Sequence, residues 1–248
     1  FRKLMSAKAF NMIAYNDSVI ASWLNNEFCI KFPEKKIIHG KLIEHLRYGE
    51  NPHQKGSLYG MEDNLDLVKL HGKDLSYNNY NDIYSALSIL STFKKKEGTV
   101  IVKHANPCGV SINKNKFNSY RLALACDPVS AFGGVVSCNF KINKKLALEL
   151  KKIFLEVIIC NSIDIDALKI LKNKKNLRII DATKLNNNNL NSISSLFNNF
   201  LMQTPDVFSF SKSNFKVVSK NKPNSQTLKN LIFAFNICRF VKSNEIVI

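Results

Sequence analysis

No C-x-x-C pair occurs in the 248 residues, and the six cysteines, Cys29, Cys108, Cys126, Cys138, Cys160 and Cys238, are scattered. That spacing argues against a zinc site or a disulfide frame. Most stand among apolar residues and read as reduced core thiols of a cytosolic protein. No apolar run approaches the ~18 residues of a membrane span. The amino end, F-R-K-L-M-S-A-K-A-F, has neither a secretory core nor a small-residue cleavage site. It also lacks an initiator Met, as a piece of a longer chain would. Acidic residues are few: 19 Asp and Glu stand against 36 Lys and Arg, a formal net charge of +17. Such an excess first raises nucleic-acid binding. No Arg-rich arm, helix-turn-helix or zinc finger accompanies it, however. The surplus is mostly Lys, spread along the chain beside abundant Asn, a composition that an AT-rich coding sequence produces. A positive field also suits small anionic ligands.

The residues present suffice for one large domain or two small ones, with an ordinary hydrophobic share of 45%. The stretch that organises them is T-V-I-V-K-H-A-N-P-C-G, Thr99 to Gly109. Thr99 to Val102 are β-branched and predict a buried strand. Lys103 and His104 follow, and Asn106-Pro107 with Gly109 predict the turn that ends it. A cation and an imidazole at the carboxyl end of a strand stand where open α/β sheets place their chemistry. His titrates near neutrality, and Lys binds anions. The pair alone is also what a strand ending in two solvated polar residues looks like, so its neighbours must decide.

Apolar spacing predicts a helix over Arg2 to Leu24, then a short strand over Glu27 to Phe32. Arg47 and Tyr48, ahead of a Gly and an Asn-Pro turn, could hold a phosphate, since Arg donates in a fork that matches phosphate oxygens. They could equally belong to a plain surface loop. Ile83, Ala86, Leu87 and Leu90 mark a helix ending in Lys94-Lys95-Lys96 before Gly98. A helix around Phe117 to Ala125 leads into Asp127-Pro128-Val129-Ser130-Ala131-Phe132-Gly133-Gly134. Its two glycines either let backbone approach a ligand or simply turn the chain into a strand over Val135 to Cys138. Further helices are predicted over Asn143 to Phe154 and Asp164 to Lys172, with strands over Glu156 to Cys160 and Leu177 to Ile180. This alternation predicts an α/β domain with a largely parallel sheet. Asp181 to Asn199 reads as a loop and Val207 to Val218 as containing strands. A long helix begins at Pro223 and runs to about Ser243. Glu245 to Ile248 reads as the start of a strand, so a further segment is expected beyond it.

L-R-Y-G-E-N-P-H-Q, H-G-K-x-L-S-Y-N-N, V-K-H-A-N-P-C-G, D-P-V-S-A-F-G-G, K-K-N-L-R and F-V-K-S-N together resemble the bifunctional family that joins AICAR transformylase to IMP cyclohydrolase. They stand in the family's order and at roughly its spacing. The resemblance implies formyl transfer from the co-substrate 10-formyltetrahydrofolate to the amine of the ribonucleotide AICAR, giving FAICAR, which a cyclohydrolase domain closes to IMP. It implies His104 as proton acceptor, Lys103 as its electrostatic partner and Asn244 as the residue that orients substrate and His. It further implies nucleotide contacts from Arg47, Tyr48, Gly133, Glu156 and Lys175. A cytoplasmic homodimer is implied, with nucleotide and folate as ligands and neither nucleic acid nor membrane as partner.

The implied fold is α/β, two cytidine-deaminase-like layered subdomains, the second incomplete. Residues 1–25 would close the cyclohydrolase domain, 26–185 form the first transformylase subdomain, 186–204 link, and 205–248 begin the second. Deaminase zinc needs H-x-E and P-C-x-x-C. Here Ala105-Asn106 follow His104, and Pro107-Cys108 has no second Cys three places on, so no catalytic metal is expected. Cys160-Asn161 stands where the family usually has Ala-Pro, and Asn198-Asn199 where it is often glycine-rich. The later glycine-rich G-Q-x-x-R segment and most folate contacts are absent from these residues. A non-catalytic nucleotide-binding remnant is the alternative reading.

Overall fold

The computed structural model describes residues 1–61, 66–185, 192–242 and 246–248. The chain forms two compact units, Phe1–Leu65 and Asp66–Ile248.

In the smaller unit, helix α1 spans Arg2–Glu27. It runs three residues beyond the expected end and displaces the predicted strand over Glu27 to Phe32. The Phe28 N–H still bonds the Leu24 carbonyl at 3.0 Å, so the last helical turn holds residues the strand would need. Strands β1 (Lys41–Leu46) and β2 (Gly56–Gly60) pair antiparallel. The loop between them carries Arg47 and Tyr48. Its base is closed by the Gly49 N–H on the Gln54 carbonyl at 2.8 Å.

The larger unit is built on six strands: β3 (Val68–His71), β4 (Gly98–Lys103), β5 (Asn106–Ile112), β6 (Val135–Ile142), β7 (Val157–Ile163) and β8 (Arg178–Asp181). Their order is β3-β8-β7-β6-β4-β5. Only β6, β7 and β8 are mutually parallel. The pairs β4–β6, β4–β5 and β3–β8 are antiparallel, so the expected largely parallel sheet is a mixed one. The reason is local. A two-residue turn after Lys103 returns the chain at once, and a hairpin is necessarily antiparallel, whereas a parallel partner needs a long crossover. Those crossovers occur later, through α4 (Lys144–Leu150) and α5 (Ile165–Lys172).

Helices cover both faces. Residues of α3 (Lys116–Cys126), α4 and α5 pack on Ile101, Val136, Ile158, Cys160 and Ile179. On the other face, α2 (Tyr77–Ser91) and the end of α6 (Ser225–Cys238) pack on Val100, Val102, Val135, Val157 and Ile159. Neighbouring residues of one strand thus enter opposite cores, as a period of two requires. Because both faces are covered, the central strands read as continuous apolar runs.

Helix starts use the abundant Asn. The side chains of Asn115, Asn143 and Asn224 each accept a backbone N–H in the first turn of α3, α4 and α6. Asn143 is a cap, and α4 stops at Leu150 rather than Phe154. Helix α2 stops at Ser91, so Lys94 to Lys96 lie in the following loop and not in its last turn.

Three other expectations change. Part of the expected loop after Asp181 is a hairpin, β9 (Ser192–Leu196) with β10 (Asn199–Gln203). Between Val207 and Val218 there is one 3-10 turn, Lys212–Asn214, and no strand. There the Asn236 side-chain amide takes the place of a strand partner: it accepts the Phe210 N–H and donates to the Phe210 carbonyl, both at 2.9 Å. Ile246 to Ile248 are not in a strand, and Glu245 lies outside the described residues. Cys138 and Cys160 are buried core thiols, whereas Cys29 and Cys126 are exposed; the core assignment fails for the latter two because each stands at or beyond a helix end.

Candidate active site

β4 ends at Lys103 and β5 begins at Asn106, and these two residues pair across the hairpin. The turn is therefore His104-Ala105, not the expected Asn106-Pro107. Both turn residues have positive φ, 55° and 57°. A two-residue loop with both central residues left-handed has the signature of a type I′ turn, which matches strand twist and normally carries Asn-Gly. Two residues with Cβ atoms in this region cost about 1–2 kcal/mol each. Pro107 and Gly109 lie inside β5, where Cys108 is the extra residue of a bulge between the Ile101–Gly109 and Val102–Pro107 pairs. Proline is tolerated there because β5 is an edge strand.

The strained tip is held from outside. The Ala105 N–H donates to Asp82 Oδ1 at 2.6 Å, and Ser85 Oγ donates to the Ala105 carbonyl at 3.0 Å. Lys242 adds its N–H to Asn106 Oδ1 at 3.2 Å and its Nζ to the His104 carbonyl at 3.4 Å. The His104 side chain is exposed, and no described residue bonds its imidazole. Lys103 Nζ donates to the Phe132 carbonyl at 2.8 Å, which ties the strand end to the D-P-V-S-A-F-G-G segment. That segment is an ordered turn. Asp127 Oδ1 accepts the Ser130 N–H at 2.9 Å, and the side chain and backbone of Ser130 hold the Asp127 carboxyl below its ordinary range.

Gly133 follows with φ 75°, donating its N–H to the Phe154 carbonyl at 2.8 Å. A Cβ there would meet Phe154 at an ordinary 3.5 Å, so backbone conformation, not space, calls for glycine. The Gly134 carbonyl accepts the Glu156 N–H at 3.0 Å. The Glu156 Oε2 atom accepts from Asn79 Nδ2 at 2.8 Å and lies 3.6 Å from an Arg178 nitrogen. Arg178, only 8% exposed, also donates twice to the Asp74 carbonyl. Glu156 is thus anchored to α2 and β8 at the same time.

Lys103, His104, Gly133 and Glu156 share one end of the sheet. It is the carboxyl end of β4 but the amino end of β6, β7 and β8. Lys175 stands at that same end, in the exposed turn before β8, with no ion pair or hydrogen bond among the described residues. Arg47 and Tyr48 belong to the smaller unit, where the Arg47 guanidinium lies 5.4 Å from the centre of the Tyr48 ring. Asn244 lies outside the described residues. A crevice of about 250 Å³ at the opposite end of the sheet, lined by Lys94, Lys95, Lys96, Asn139, Asn161 and Thr183, includes none of the candidates. No group of three or more His, Cys, Asp or Glu among the described residues is placed to hold a metal ion.

Sequence reasoning missed Asp82, Ser85, Asn79 and Lys242. A signal for Asp82 existed, since it is the one charged residue of α2. Burial pushes its carboxyl above the usual range, and Glu156 adds to this. The Ala105 N–H, His104 and Lys242 oppose it. Chemically, the sheet end offers an exposed imidazole able to take a proton, and the Lys103 and Lys242 ammonium groups at the same hairpin are able to meet anionic charge.

Known proteins bear on what that chemistry serves. All of residues 1–248 match the family described as AICARFT/IMPCHase bienzyme. The bifunctional purine biosynthesis protein PurH of Bradyrhizobium diazoefficiens is 39% identical over 254 residues, covering 99% of this chain and 48% of that protein. PurH of Clostridium kluyveri is 38% identical over 252 residues, with 100% and 49% covered. PurH of Prochlorococcus marinus is 40% identical over 262 residues, with 100% and 50% covered. The chain spans about half the length of the curated relatives it matches. With the whole chain matched, it belongs to the AICARFT/IMPCHase bienzyme family.

Proposed function

We propose that this chain carries the nucleotide-side catalytic groups of a formyltransferase of purine biosynthesis. The reaction moves the formyl group of 10-formyltetrahydrofolate to the amine of AICAR, giving FAICAR, and the parent protein also closes that product to IMP. The observation that carries the reading is the hairpin tip. It presents His104, with Lys103 tied to the loop of Gly133, at the sheet end that also holds Glu156, in a chain whose relatives are bifunctional purine biosynthesis proteins.

The aromatic amine is a weak nucleophile. It attacks the formyl carbon while His104 accepts one of its protons. The tetrahedral oxyanion forms beside the ammonium groups, the bond from carbon to folate nitrogen breaks, and that nitrogen leaves with a proton. A positioned base contributes about 10²–10⁴-fold, and each stabiliser of the oxyanion about 10²–10³-fold. Asn244 orients substrate and base, while Arg47, Tyr48, Gly133, Glu156 and Lys175 bind the nucleotide. Glu156, fixed by Asn79 and Arg178, serves as a rigid acceptor for a ligand hydroxyl. The reading includes deaminase-like layered subdomains divided at residues 25, 185 and 204, a homodimer in the cytoplasm, no catalytic metal, and no nucleic-acid or membrane partner. No helix among the described residues is long and apolar enough to cross a membrane.

The test is formyl transfer by the full-length gene product, followed as tetrahydrofolate release. His104→Ala should lower kcat about 10²–10⁴-fold. A His104→Ala variant with parental kcat overturns the proposal, as does a full-length product that binds AICAR without transferring formyl.

A further inference from the structure

We propose that Asp82 is the positioning residue of the His104 site: its hold on Ala105 keeps the hairpin tip left-handed and so fixes where the imidazole stands. This rests on His104 being the base of the reaction proposed above.

Four observations carry it. First, the tip makes its largest demand on Ala105. His enters the left-handed region more readily than most residues, but Ala105 has a Cβ and no side chain to bond its own backbone, and its φ is positive too, so something outside the turn must impose this conformation. Second, α2 supplies that constraint with two side chains three residues apart on one helical face. Asp82 takes the Ala105 N–H at 2.6 Å and Ser85 gives its hydroxyl to the Ala105 carbonyl at 3.0 Å. Both polar atoms of one peptide residue are thereby engaged by a single helix that is itself set in the core through Ile83, Ala86 and Ile89. Third, the bond from Asp82 is charge-assisted and short, the stronger kind. Fourth, burial and the nearby Glu156 push the Asp82 carboxyl above its ordinary range, and the Ala105 N–H is the first group that opposes them.

The groups facing Asp82 come from three neighbouring segments: Ala105 and His104 from the hairpin, Glu156 from just before β7, and Lys242 from beyond α6. Its effect on chemistry runs through the Ala105 backbone, and it touches no reacting atom.

The experiment uses the full-length gene product with Asp82→Ala, Asp82→Asn and the double variant Asp82→Ala with Ala105→Gly, alongside His104→Ala. Asp82→Ala should lower kcat about 10- to 100-fold, the scale of a small misplacement of a catalytic group, with the AICAR KM changed by less than about 3-fold. Adding Ala105→Gly should restore about 5-fold or more, because glycine enters the left-handed region without help. Asp82→Asn, whose amide oxygen still accepts the Ala105 N–H but without the charge, should lose less kcat than Asp82→Ala. In protein labelled with ¹⁵N-alanine, the Ala105 amide should titrate with a midpoint above that of an ordinary aspartate and lose that titration in Asp82→Asn. Parental kcat in Asp82→Ala beside an inactive His104→Ala overturns this inference and leaves the function standing. An Ala105 amide indifferent to Asp82→Asn also overturns it. A fully active His104→Ala overturns the reading beneath it, and the inference with it.

Discussion

Ala105, beside His104, is ill-matched to the left-handed backbone it occupies, and the mismatch shows where the molecule spends stability. Left-handed residues with a Cβ persist only when their surroundings over-determine them, and such residues gather at functional sites. The thiols show the opposite case. Cys138 and Cys160 face each other in register on β6 and β7, and burial pushes both up to about 12. A thiol is nucleophilic only as thiolate. Iodoacetamide at pH 7.5 should therefore leave both unlabelled in the folded chain and label them after denaturation, as read by peptide mass spectrometry, while exposed Cys126 reacts in both. Labelling of Cys160 at the rate of Cys126 in folded protein would contradict the burial described.

At the scale of elements, the β4–β5 hairpin joins site and core. The N-P-C-G run looked like a turn but serves packing. A Cβ on Gly109 would stand 1.9 Å from the Ala123 carbonyl oxygen of α3, and backbone cannot yield as a flexible side chain does. Gly109→Ala should cost about 1–3 kcal/mol, the range for overpacking, seen as a lower urea midpoint. An unchanged midpoint would mean α3 does not lie against β5 as found. The strand positions of β4, β6 and β7 were legible from β-branched runs. The turn was not, because Asn-Pro and Gly are strong turn signals, while His-Ala is a weak one that contacts from Asp82, Ser85 and Lys242 stabilise.

For the whole molecule, burial is uneven. Only Ser18 of α1 is buried, and the β9–β10 hairpin is almost wholly exposed, whereas β4, β6 and β7 are covered on both faces. Local opening follows such differences. In this chain on its own, amide exchange should be complete in α1 and β9–β10 well before β4, β6 and β7, as read by mass spectrometry of peptides. Equal protection would refute that hierarchy. The excess of positive charge is spread along the chain; paired acids include Asp164 with Lys141 and Glu149 with Lys152, half-buried acids on exposed lysines, pairs of small energetic weight.

Apolar periodicity and ordered motifs were enough, without coordinates, to place most helices and strands of the α/β unit and to single out Lys103 and His104, because those signals are local in the chain. The antiparallel entry of β4 and β5, the left-handed tip, the anchoring of Glu156 by Asn79 and Arg178, and the part played by Asp82 were decided only by the tertiary structure. The hairpin is local but its turn residues carry only a weak signal; the others depend on groups brought together across 20 residues or more, as Asp82 and Ala105 are, and no spacing rule along the chain encodes which of many polar side chains will meet. The chemistry was written beside the strand; its support was written on a helix one element earlier.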